Sequence, residues 1–253
     1  IAAANQHEAE ELLSLITVEY QVLQSVTDVE SAIKKGAPIL HDNMTSSSFE
    51  GQNSKGTNIA SHEQYSLGSI DNGFKQADFI LEKDYRTKTV HQGYIEPQNG
   101  TASWRADDHV TIWCSSQGHF GIRDATSTVL GLPASRINVV PMEIGGGFGG
   151  KLPAYLEPLA ALLSKKSGRP VKMYMTRTEV IEATGPTSGS YVRAKIGFTN
   201  AGKITAAQAD LYFEAGAFPG SPIGGATACM LSPYDIKNLR LDGYDVVDNK
   251  PKT

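Results

Sequence analysis

Short apolar patterns in the first 42 residues predict separate elements rather than a closed domain. Residues 7–16 are acidic at the start and apolar afterwards, which predicts a short helix. Residues 18–23 alternate apolar and polar positions like a half-buried strand, and Asp28 is placed to cap a second helix over residues 29–35. Because a helix, a strand and a helix without partner strands cannot enclose a core, we expect residues 1–42 to be the tail of a domain that begins upstream.

The rest of the chain divides into two segments of different composition. Residues 43–70 are rich in Ser, Asn, Gly and Thr and lack apolar periodicity, which is typical of a linker or a long surface loop. In residues 71–253 the apolar positions become dense and regular. Their patterns predict strands at residues 77–85, 87–91, 101–105, 109–115, 137–144, 171–175, 191–198 and 204–214, and helices at residues 118–130 and 154–167. Strands and helices interspersed with hairpins predict an α+β fold with mixed sheets covered by helices.

Composition argues against several classes of protein. The chain has 23 Lys and Arg against 27 Asp and Glu, a net charge of −4, whereas a nucleic-acid-binding surface needs clustered basic residues in excess. The longest stretch of low charge, residues 211–233, is interrupted by Glu214 and by several Gly and Pro residues, so we predict no membrane-spanning segment. Cys114 and Cys229 form no C-x-x-C pair, which argues against a metal cluster or a disulfide framework and favours the reducing cytoplasm.

Glycine is the exception in this ordinary composition, and its excess is concentrated in one segment. The sequence Gly-Gly-Gly-Phe-Gly-Gly-Lys occupies residues 145–151, between a predicted strand and a predicted helix. Glycines allow positive φ angles, and a loop of this kind can gather backbone N–H groups around an anion. The segment therefore predicts a binding loop.

Two nucleotide-binding motifs fit this segment only in part. The pattern G-x-G-x-x-G runs from Gly145 to Gly150, but no acidic residue ends the next strand, where Arg177 would suit only a phosphorylated ribose. The P-loop pattern continues to Lys151 and fails at Leu152, which has no hydroxyl for Mg²⁺. A Rossmann-like nucleotide-binding domain remains an alternative. So does a ligand-free turn in an interaction module, although five glycines in six residues exceed what a turn needs.

A further interpretation is a resemblance. Residues 145–151 resemble the cofactor loop of the molybdenum hydroxylases, the family of the xanthine dehydrogenase, aldehyde oxidase, carbon monoxide dehydrogenase and 4-hydroxybenzoyl-CoA reductase large subunits. Other segments resemble the family in the same order: HQGYIEP at 91–97, SSQGHFGIR at 115–123, LGLP through RINVV at 130–140 and SGRPVK at 167–172. The implied organisation is the C-terminal tail of a hammerhead-type domain at residues 1–42, a linker or surface loop at residues 43–70, and the N-terminal part of a molybdopterin-binding domain at residues 71–253.

For the whole protein the resemblance implies a molybdenum-dependent oxidoreductase. Such an enzyme hydroxylates a small aldehyde or aromatic substrate with oxygen from water and passes electrons to iron–sulfur and FAD partners. Leu152 stands where purine-hydroxylating members carry Glu, so xanthine is not the expected substrate. The base glutamate and the second half of the cofactor cradle have no counterpart here, so we expect this chain alone to be inactive and free of cofactor.

The resemblance also assigns residues to the site. Gln117 matches the glutamine whose amide donates to an oxygen on molybdenum, and Phe148 and Gly149 match residues whose N–H groups face the oxo ligands of the metal. The metal is held by the dithiolene of molybdopterin, so no residue is assigned as a metal ligand. Glu96 and Glu157 are expected to have structural roles. The predicted cofactor-binding residues are Gln117, Gly146, Gly147, Phe148, Gly149 and Gly150, and for them to share one site Gln117 must lie close to the loop.

Overall fold

The computed structural model describes residues 3–47 and 53–253. In these residues the α-helices are α1 (Gln6–Leu13), α2 (Val29–Ala32), α3 (Ile70–Lys75), α4 (His119–Leu130), α5 (Glu157–Ser167), α6 (Arg177–Ala183) and α7 (Ile223–Cys229). The strands are β1 (Ser46–Ser47), β2 (Asn53–Ser54), β3 (Ile59–Leu67), β4 (Phe79–Thr87), β5 (Asn99–Trp104), β6 (Val110–Cys114), β7 (Ile137–Pro141), β8 (Val171–Tyr174), β9 (Ser190–Phe198), β10 (Ile204–Gly216) and β11 (Leu239–Val247). They form two mixed sheets with helices packed on them, which confirms the predicted α+β fold.

The larger sheet contains seven strands in the order β2-β1-β3-β11-β10-β9-β4. β9 and β10 form the long hairpin that the sequence predicts, while β10 and β11 run parallel. One face packs against α7, where Ile223 shares a buried cluster with Leu241. The other face packs against α2, where Val29 shares a cluster with Val246. Helices therefore cover parts of both faces of this sheet.

The smaller sheet has the strand order β7-β6-β5-β8 and positions the candidate site. β5 and β6 form the predicted antiparallel hairpin, and β6 and β7 run parallel. α4 and α5 pack on this sheet, with Ile112, Ile122 and Ala160 in one buried cluster. Because parallel strands end at the same edge of a sheet, the segments that follow β6 and β7 meet there. These segments carry Gln117 and residues 145–151, which we call the glycine loop.

The Rossmann-like alternative is wrong. A dinucleotide-binding domain needs a series of parallel strands joined by helices. In the smaller sheet only β6 and β7 are parallel, whereas β5 pairs antiparallel with both β6 and β8. Arg177, the candidate for a phosphorylated ribose, donates instead to the carbonyl oxygens of Tyr94 and Ile95. The glycine loop therefore lies in a different architecture from the one that binds dinucleotides.

Two predictions for the first 70 residues are wrong. Residues 18–23 do not form a strand, and their side chains are exposed. A strand needs a partner strand, and no described strand pairs with these residues. Alternation of apolar and polar residues is therefore not enough to predict a strand here. The predicted linker at residues 43–70 contains β3, which pairs along its length with β11 in the larger sheet. β3 is largely polar because much of it is exposed, and this composition made a strand resemble a loop.

The predicted helices differ mainly in length. α4 follows its prediction closely, whereas α1 ends at Leu13, three residues before the predicted end. α2 is capped by Asp28 as predicted, through the N–H of Ser31, but it ends at Ala32. α5 begins at Glu157 with Pro158 in its first turn, where the missing N–H of proline is tolerated. α3, α6 and α7 are too short for a clear periodic pattern and were not predicted. Of the helices in the described ranges, none has the length and apolar character that crossing a membrane requires.

Candidate functional site

Gln117 and the glycine loop come together at the edge of the smaller sheet. β6 ends shortly before Gln117, and β7 ends shortly before the loop. The Oε1 atom of Gln117 accepts the N–H of Gly149 at 3.0 Å and the N–H of Lys151 at 3.1 Å. The predicted proximity of Gln117 to the loop is therefore confirmed.

These two bonds fix the orientation of the Gln117 carboxamide. Backbone N–H groups can only donate, so the atom that faces them must be the carbonyl oxygen. The NH₂ group is then on the other branch of the carboxamide. Within residues 3–47 and 53–253 it donates no hydrogen bond, and the Gln117 side chain is exposed. Gln117 thus offers an uncharged donor to a ligand while its oxygen holds the loop.

Three consecutive N–H groups of the glycine loop are also free. Over the part of the chain that the structure describes, the backbone N–H groups of Gly146, Gly147 and Phe148 donate no hydrogen bond. Consecutive unpaired N–H groups in a turn of this kind form a concave donor surface for an anion. With the amide nitrogen of Gln117 they provide four uncharged donors.

The remaining glycines of the loop use their N–H groups internally. Gly149 donates to Gln117 at 3.0 Å, and Gly150 donates to the carbonyl of Gly147 at 2.8 Å. The expectation that the N–H of Gly149 faces a cofactor needs correction, because that hydrogen is already engaged by the Gln117 oxygen. The assignment of Gly149 and Gly150 to the cofactor site stays a prediction.

The loop adopts a backbone that favours glycine. Gly146 has a φ of +90°, which residues with a Cβ rarely adopt. At Gly147 the reason is space, because a Cβ would lie 2.5 Å from Oε1 of Gln117. Phe148 has a φ of +51° although it is not glycine, and it is 74% exposed. Left-handed backbone at a bulky residue is a strained conformation of the kind that clusters at functional sites.

An ion pair lies beneath the glycine loop. Oε2 of Glu96 accepts from Lys151 Nζ at 2.5 Å and from the N–H of Gly145 at 2.7 Å, while Oε1 accepts from Asn99. Burial alone would raise the pKa of Glu96, but hydrogen bonds from Lys151, Gly145 and Asn99, with the Lys151 charge, hold that pKa below its usual value. Glu96 therefore bonds to both ends of the loop, and the structural role expected for it stays a prediction.

Two other titratable groups of the smaller sheet and its helices are structural. Glu157 is buried at the start of α5 and accepts the N–H of Tyr155 at 2.9 Å, and burial raises the pKa of its carboxyl. Burial, with the charge of Glu157, raises the pKa of the Cys114 thiol to about 12, so this thiol is neutral at physiological pH. Among the described residues, no group of three or more His, Cys, Asp or Glu side chains is placed to hold a metal ion. The site is characterised by its uncharged N–H donors.

Sequence reasoning missed the residues behind the loop. The ring of Tyr94 is buried 5.1 Å from Lys151 Nζ, and its hydroxyl accepts a hydrogen bond from Gln98. Arg177 holds the segment that contains Tyr94 through two backbone carbonyls. Tyr94 lies within the HQGYIEP segment, but nothing in that pattern distinguishes a buried ring from an exposed one.

Comparisons with known proteins identify the family. Residues 52–253 match the family described as the molybdopterin cofactor-binding domain. The chain is 29% identical over 254 residues to the nicotinate dehydrogenase large molybdopterin subunit of Eubacterium barkeri, over 99% of this chain and 57% of that protein. It is 33% identical over 202 residues to aldehyde oxidase 3 of Mus musculus, over 76% of this chain and 15% of that protein. The chain thus spans less than two thirds of either relative.

A solved structure has the same fold. The reconstituted CO dehydrogenase from Oligotropha carboxidovorans matches with a TM-score of 0.83 and 27% sequence identity, over 98% of this chain and 32% of that chain. The family match begins at residue 52 and so includes β3, ahead of the boundary predicted at residue 71. From the match to residues 52–253, this chain belongs to the family of molybdopterin cofactor-binding domains.

Proposed function

We propose that Gln117 and the glycine loop contact a molybdopterin cofactor. One observation carries the proposal: the amide nitrogen of Gln117 and three consecutive loop N–H groups are free donors in one small region of the described chain. Preorganised donors of this kind suit the oxygen-rich, anionic groups of a molybdenum cofactor. The proposed contact residues are Gln117, Gly146, Gly147, Phe148, Gly149 and Gly150.

The residues present fit this group in shape and in chemistry. Gly147 leaves no room for a Cβ between the loop and Gln117, so any side chain there would displace the amide. Gly149 has a φ of +91°, and the space where its Cβ would project is open for at least 4 Å. The donors are uncharged, so they stabilise negative charge on an oxygen without supplying a proton to neutralise it.

Each part of the site has its own task. The loop N–H groups bind and orient the cofactor, and they need little reorganisation because the backbone fixes them. Gln117 adds a side-chain donor whose position is set by the two bonds to its oxygen. The ring of Phe148 is 74% exposed, and we propose that it forms one wall of the site when the cofactor is bound. When bound, the molybdenum supplies the two-electron oxidation of a substrate carbon, with oxygen taken from water.

For the whole protein we propose an oxidoreductase that hydroxylates an aldehyde or aromatic carbon. Two of the relatives are named for these substrate classes, a nicotinate dehydrogenase and an aldehyde oxidase, whereas others are named for xanthine or hypoxanthine, so the choice between the classes rests on Leu152. We propose iron–sulfur and FAD partners as the acceptors of the electrons. A cytoplasmic location is supported by the two cysteines, which are both free thiols.

The domain organisation is proposed on the same basis. We propose that residues 1–42 are the C-terminal tail of a hammerhead-type domain, and that β3 and residues 71–253 form the N-terminal part of the molybdopterin-binding domain. Exposed apolar side chains in the first part, such as Leu15 and Val22, support a continuation of its core elsewhere in the whole protein.

Leu152 supports the choice of substrate class. It follows the glycine loop directly and is 53% exposed. It also lies beside the residue after Gln117, since a Cβ on Gly118 would be 3.5 Å from Cδ2 of Leu152. An apolar side chain at this place cannot hydrogen-bond the polar edge of a purine ring. We therefore propose aldehydes or aromatic acid derivatives as substrates rather than xanthine.

Metal and pterin analysis of the full-length protein, purified from its native host, tests the proposed function. We expect stoichiometric molybdenum and pterin. Gly147→Ala should lower both contents because its Cβ would collide with Gln117, whereas Gly225→Ala on α7 is a matched control whose Cβ meets nothing within 4 Å. Absence of molybdenum and pterin from the wild-type protein, or equal contents in the two variants, would contradict the proposal.

A further inference from the structure

Lys151, the last residue of the glycine loop, is a buried cation. Its side chain is only 1% exposed, although lysine is among the residues most often found at protein surfaces. Burying an ammonium group is unfavourable unless it is paired and hydrogen-bonded. A lysine buried beside the proposed binding loop therefore depends on a specific partner.

Glu96 is that partner, and it connects the two ends of the glycine loop. One carboxylate oxygen accepts from Lys151 Nζ at 2.5 Å and from the N–H of Gly145 at 2.7 Å. Gly145 is the first residue of the loop and Lys151 is the last. The backbone N–H of Glu96 also donates to the carbonyl of Gly145 at 3.1 Å. Glu96 therefore closes the loop at its base.

The backbone of Lys151 is bonded to the segment that follows β6. Its N–H donates to Oε1 of Gln117 at 3.1 Å. Its carbonyl accepts the N–H of Gln117 and the hydroxyl of Ser116, each at 3.0 Å. Lys151 is therefore the residue through which Glu96 and Gln117 hold the loop from two sides.

The charged groups of both members of the ion pair are already used within the protein, although the Glu96 side chain is 28% exposed. The Lys151 side chain is almost completely buried, with the ring of Tyr94 at 5.1 Å from Nζ. Both oxygens of Glu96 are engaged by protein donors, one by Lys151 and Gly145 and the other by Asn99. We therefore expect this pair to act on a ligand through the backbone of the loop.

We propose that Glu96 and Lys151 are positioning residues that hold the glycine loop in the conformation that leaves the N–H groups of Gly146, Gly147 and Phe148 free. The functional part of this proposal rests on the proposed cofactor role of those N–H groups. When the ion pair is lost, the loop samples other conformations, and donors that were fixed in advance must be ordered at the moment of binding.

Hydrogen exchange of the loop amides in the full-length protein tests this proposal. Glu96→Gln keeps the shape of the side chain and removes its charge. Because hydrogen bonds to a charged carboxylate are stronger than those to an amide, the hydrogen-bonded amides of Gly145, Gly149, Gly150 and Lys151 should exchange about tenfold faster or more, and the molybdenum content should fall. The matched control is Glu214→Gln, which alters a buried carboxylate of the larger sheet that pairs with Lys250 at 2.7 Å. It should change neither the loop exchange nor the molybdenum content.

A double variant separates positioning from general stability. Glu96→Gln with Lys151→Met leaves no unpaired buried charge, so the midpoint of thermal unfolding should return close to that of the wild type. The loop amides should still exchange fast, because nothing replaces the contact that closes the loop. Lys151→Arg alone keeps a charge that can reach Glu96. The loop amides of this variant should therefore retain part of the protection that they have in the wild type.

The results also separate this proposal from the proposed function. Slow loop exchange in Glu96→Gln or in the double variant would overturn the positioning role, and so would equally fast loop exchange in Glu214→Gln. The exchange of the loop can be measured with or without bound cofactor. If the wild-type full-length protein contains no molybdenum and the Glu96 variants still show fast loop exchange, the positioning role is supported and the cofactor role is contradicted.

Discussion

Among the described residues, the cluster of Glu96 and Lys151 and the cluster of Asp248, Glu214 and Lys250 differ in how well their carboxylates are partnered. Beneath the glycine loop, both oxygens of Glu96 accept hydrogen bonds. At the end of β11, Asp248 is 0% exposed, and among the described residues neither of its oxygens accepts a hydrogen bond. Lys250 lies 3.8 Å from Asp248 but donates to Glu214 at 2.7 Å.

This difference moves the two pKa values in opposite directions. Burial alone would raise the pKa of Glu96, but hydrogen bonds led by that from Lys151 lower it. Burial and the charge of Glu214 raise the pKa of Asp248 to about 6, against the opposing charge of Lys250. Among the described residues, the polar groups of the candidate site that lack a hydrogen-bond partner are N–H donors of the loop. At the end of β11 the group without a hydrogen-bond partner is the buried carboxylate of Asp248, which is an acceptor. On the proposed function the first arrangement provides a binding surface, whereas the second reduces the stability of the fold at neutral pH.

The largest expected effect is on catalysis by the full-length enzyme, from Gln117→Glu. A carboxylate can still accept the N–H groups of Gly149 and Lys151, but it cannot donate where the amide nitrogen does. Removing one preorganised donor typically lowers kcat by about 10²–10³, and we expect a loss of that size. Steady-state kinetics with the best aldehyde or aromatic acid substrate measures it. Gln76→Glu, at the exposed end of α3, is the control. An unchanged kcat in Gln117→Glu would contradict the proposal that the free amide nitrogen of Gln117 donates to the cofactor.

The next effect is on stability, from Asp248→Asn. The pKa of Asp248 in the folded protein, about 6, lies above its ordinary value of 3.8. The contribution of protonated Asp248 to the stability of the fold is therefore fully present below pH 3.8 and is lost as the pH rises through 6. At pH 8 the variant should therefore be more stable by about 2 to 3 kcal/mol, since one pKa unit corresponds to about 1.4 kcal/mol. The difference should vanish near pH 4.

Urea unfolding between pH 4 and pH 8 measures this difference. Asp235→Asn is the matched control, because that carboxylate is exposed and pairs with Lys237 at the surface. A difference for Asp248→Asn that is independent of pH, or a loss of stability at pH 8, would show that the carboxylate is better partnered than its surroundings indicate.

A smaller effect is expected on substrate preference, from Leu152→Glu. A carboxylate beside the glycine loop can accept a hydrogen bond from a purine, which is worth about 1.5–3 kcal/mol when one partner is charged. The ratio of kcat/KM for a purine to that for an aldehyde should rise about tenfold or more. Leu159→Glu, an exposed position on α5, is the control. Efficient xanthine turnover by the wild-type enzyme would show that Leu152 does not set the preference.

The smallest effect is expected from Asp28→Ala, which removes the N-cap of α2. Loss of such a cap costs about 1 kcal/mol of stability. α2 packs on the larger sheet through Val29 and Ala32, so thermal unfolding should detect this loss. Asn5→Ala removes the cap of α1, a helix without buried residues, and should have less effect. A fall in molybdenum content in Asp28→Ala as large as that in Gly147→Ala would show that the two regions are not independent.

The parts of the fold that the sequence predicts best are those decided by local patterns. Alternation around a short turn is sufficient for the β5–β6 and β9–β10 hairpins. Residues 18–23 alternate as clearly and form no strand, because pairing depends on a partner that local sequence does not describe. Asn58, in the segment taken for a linker, is buried and bonded to the backbone of Ala32, Pro38 and Leu40, which its polar character concealed.

The candidate site was predictable to a similar degree. The glycine loop and Gln117 are visible in the sequence, and the parallel β6–β7 pair explains why they meet. The buried state of Lys151 was not predictable, since the same residue type is usually exposed and only the position of Glu96 accounts for it. The hydrogen bond from the Gly149 N–H to Gln117 was also not predictable, because it depends on a tertiary contact between two distant segments of the chain.

Amide exchange of the glycine loop, compared between cofactor-loaded and cofactor-free full-length protein, tests the central claim most directly. If the free N–H groups bind the cofactor, the amides of Gly146, Gly147 and Phe148 should become strongly protected when it is bound. The amides of Gly149 and Gly150 are already bonded within the chain and should change little, which gives a control inside the same loop. Equal exchange of residues 146–148 in the two forms would contradict the claim that this loop is the cofactor site.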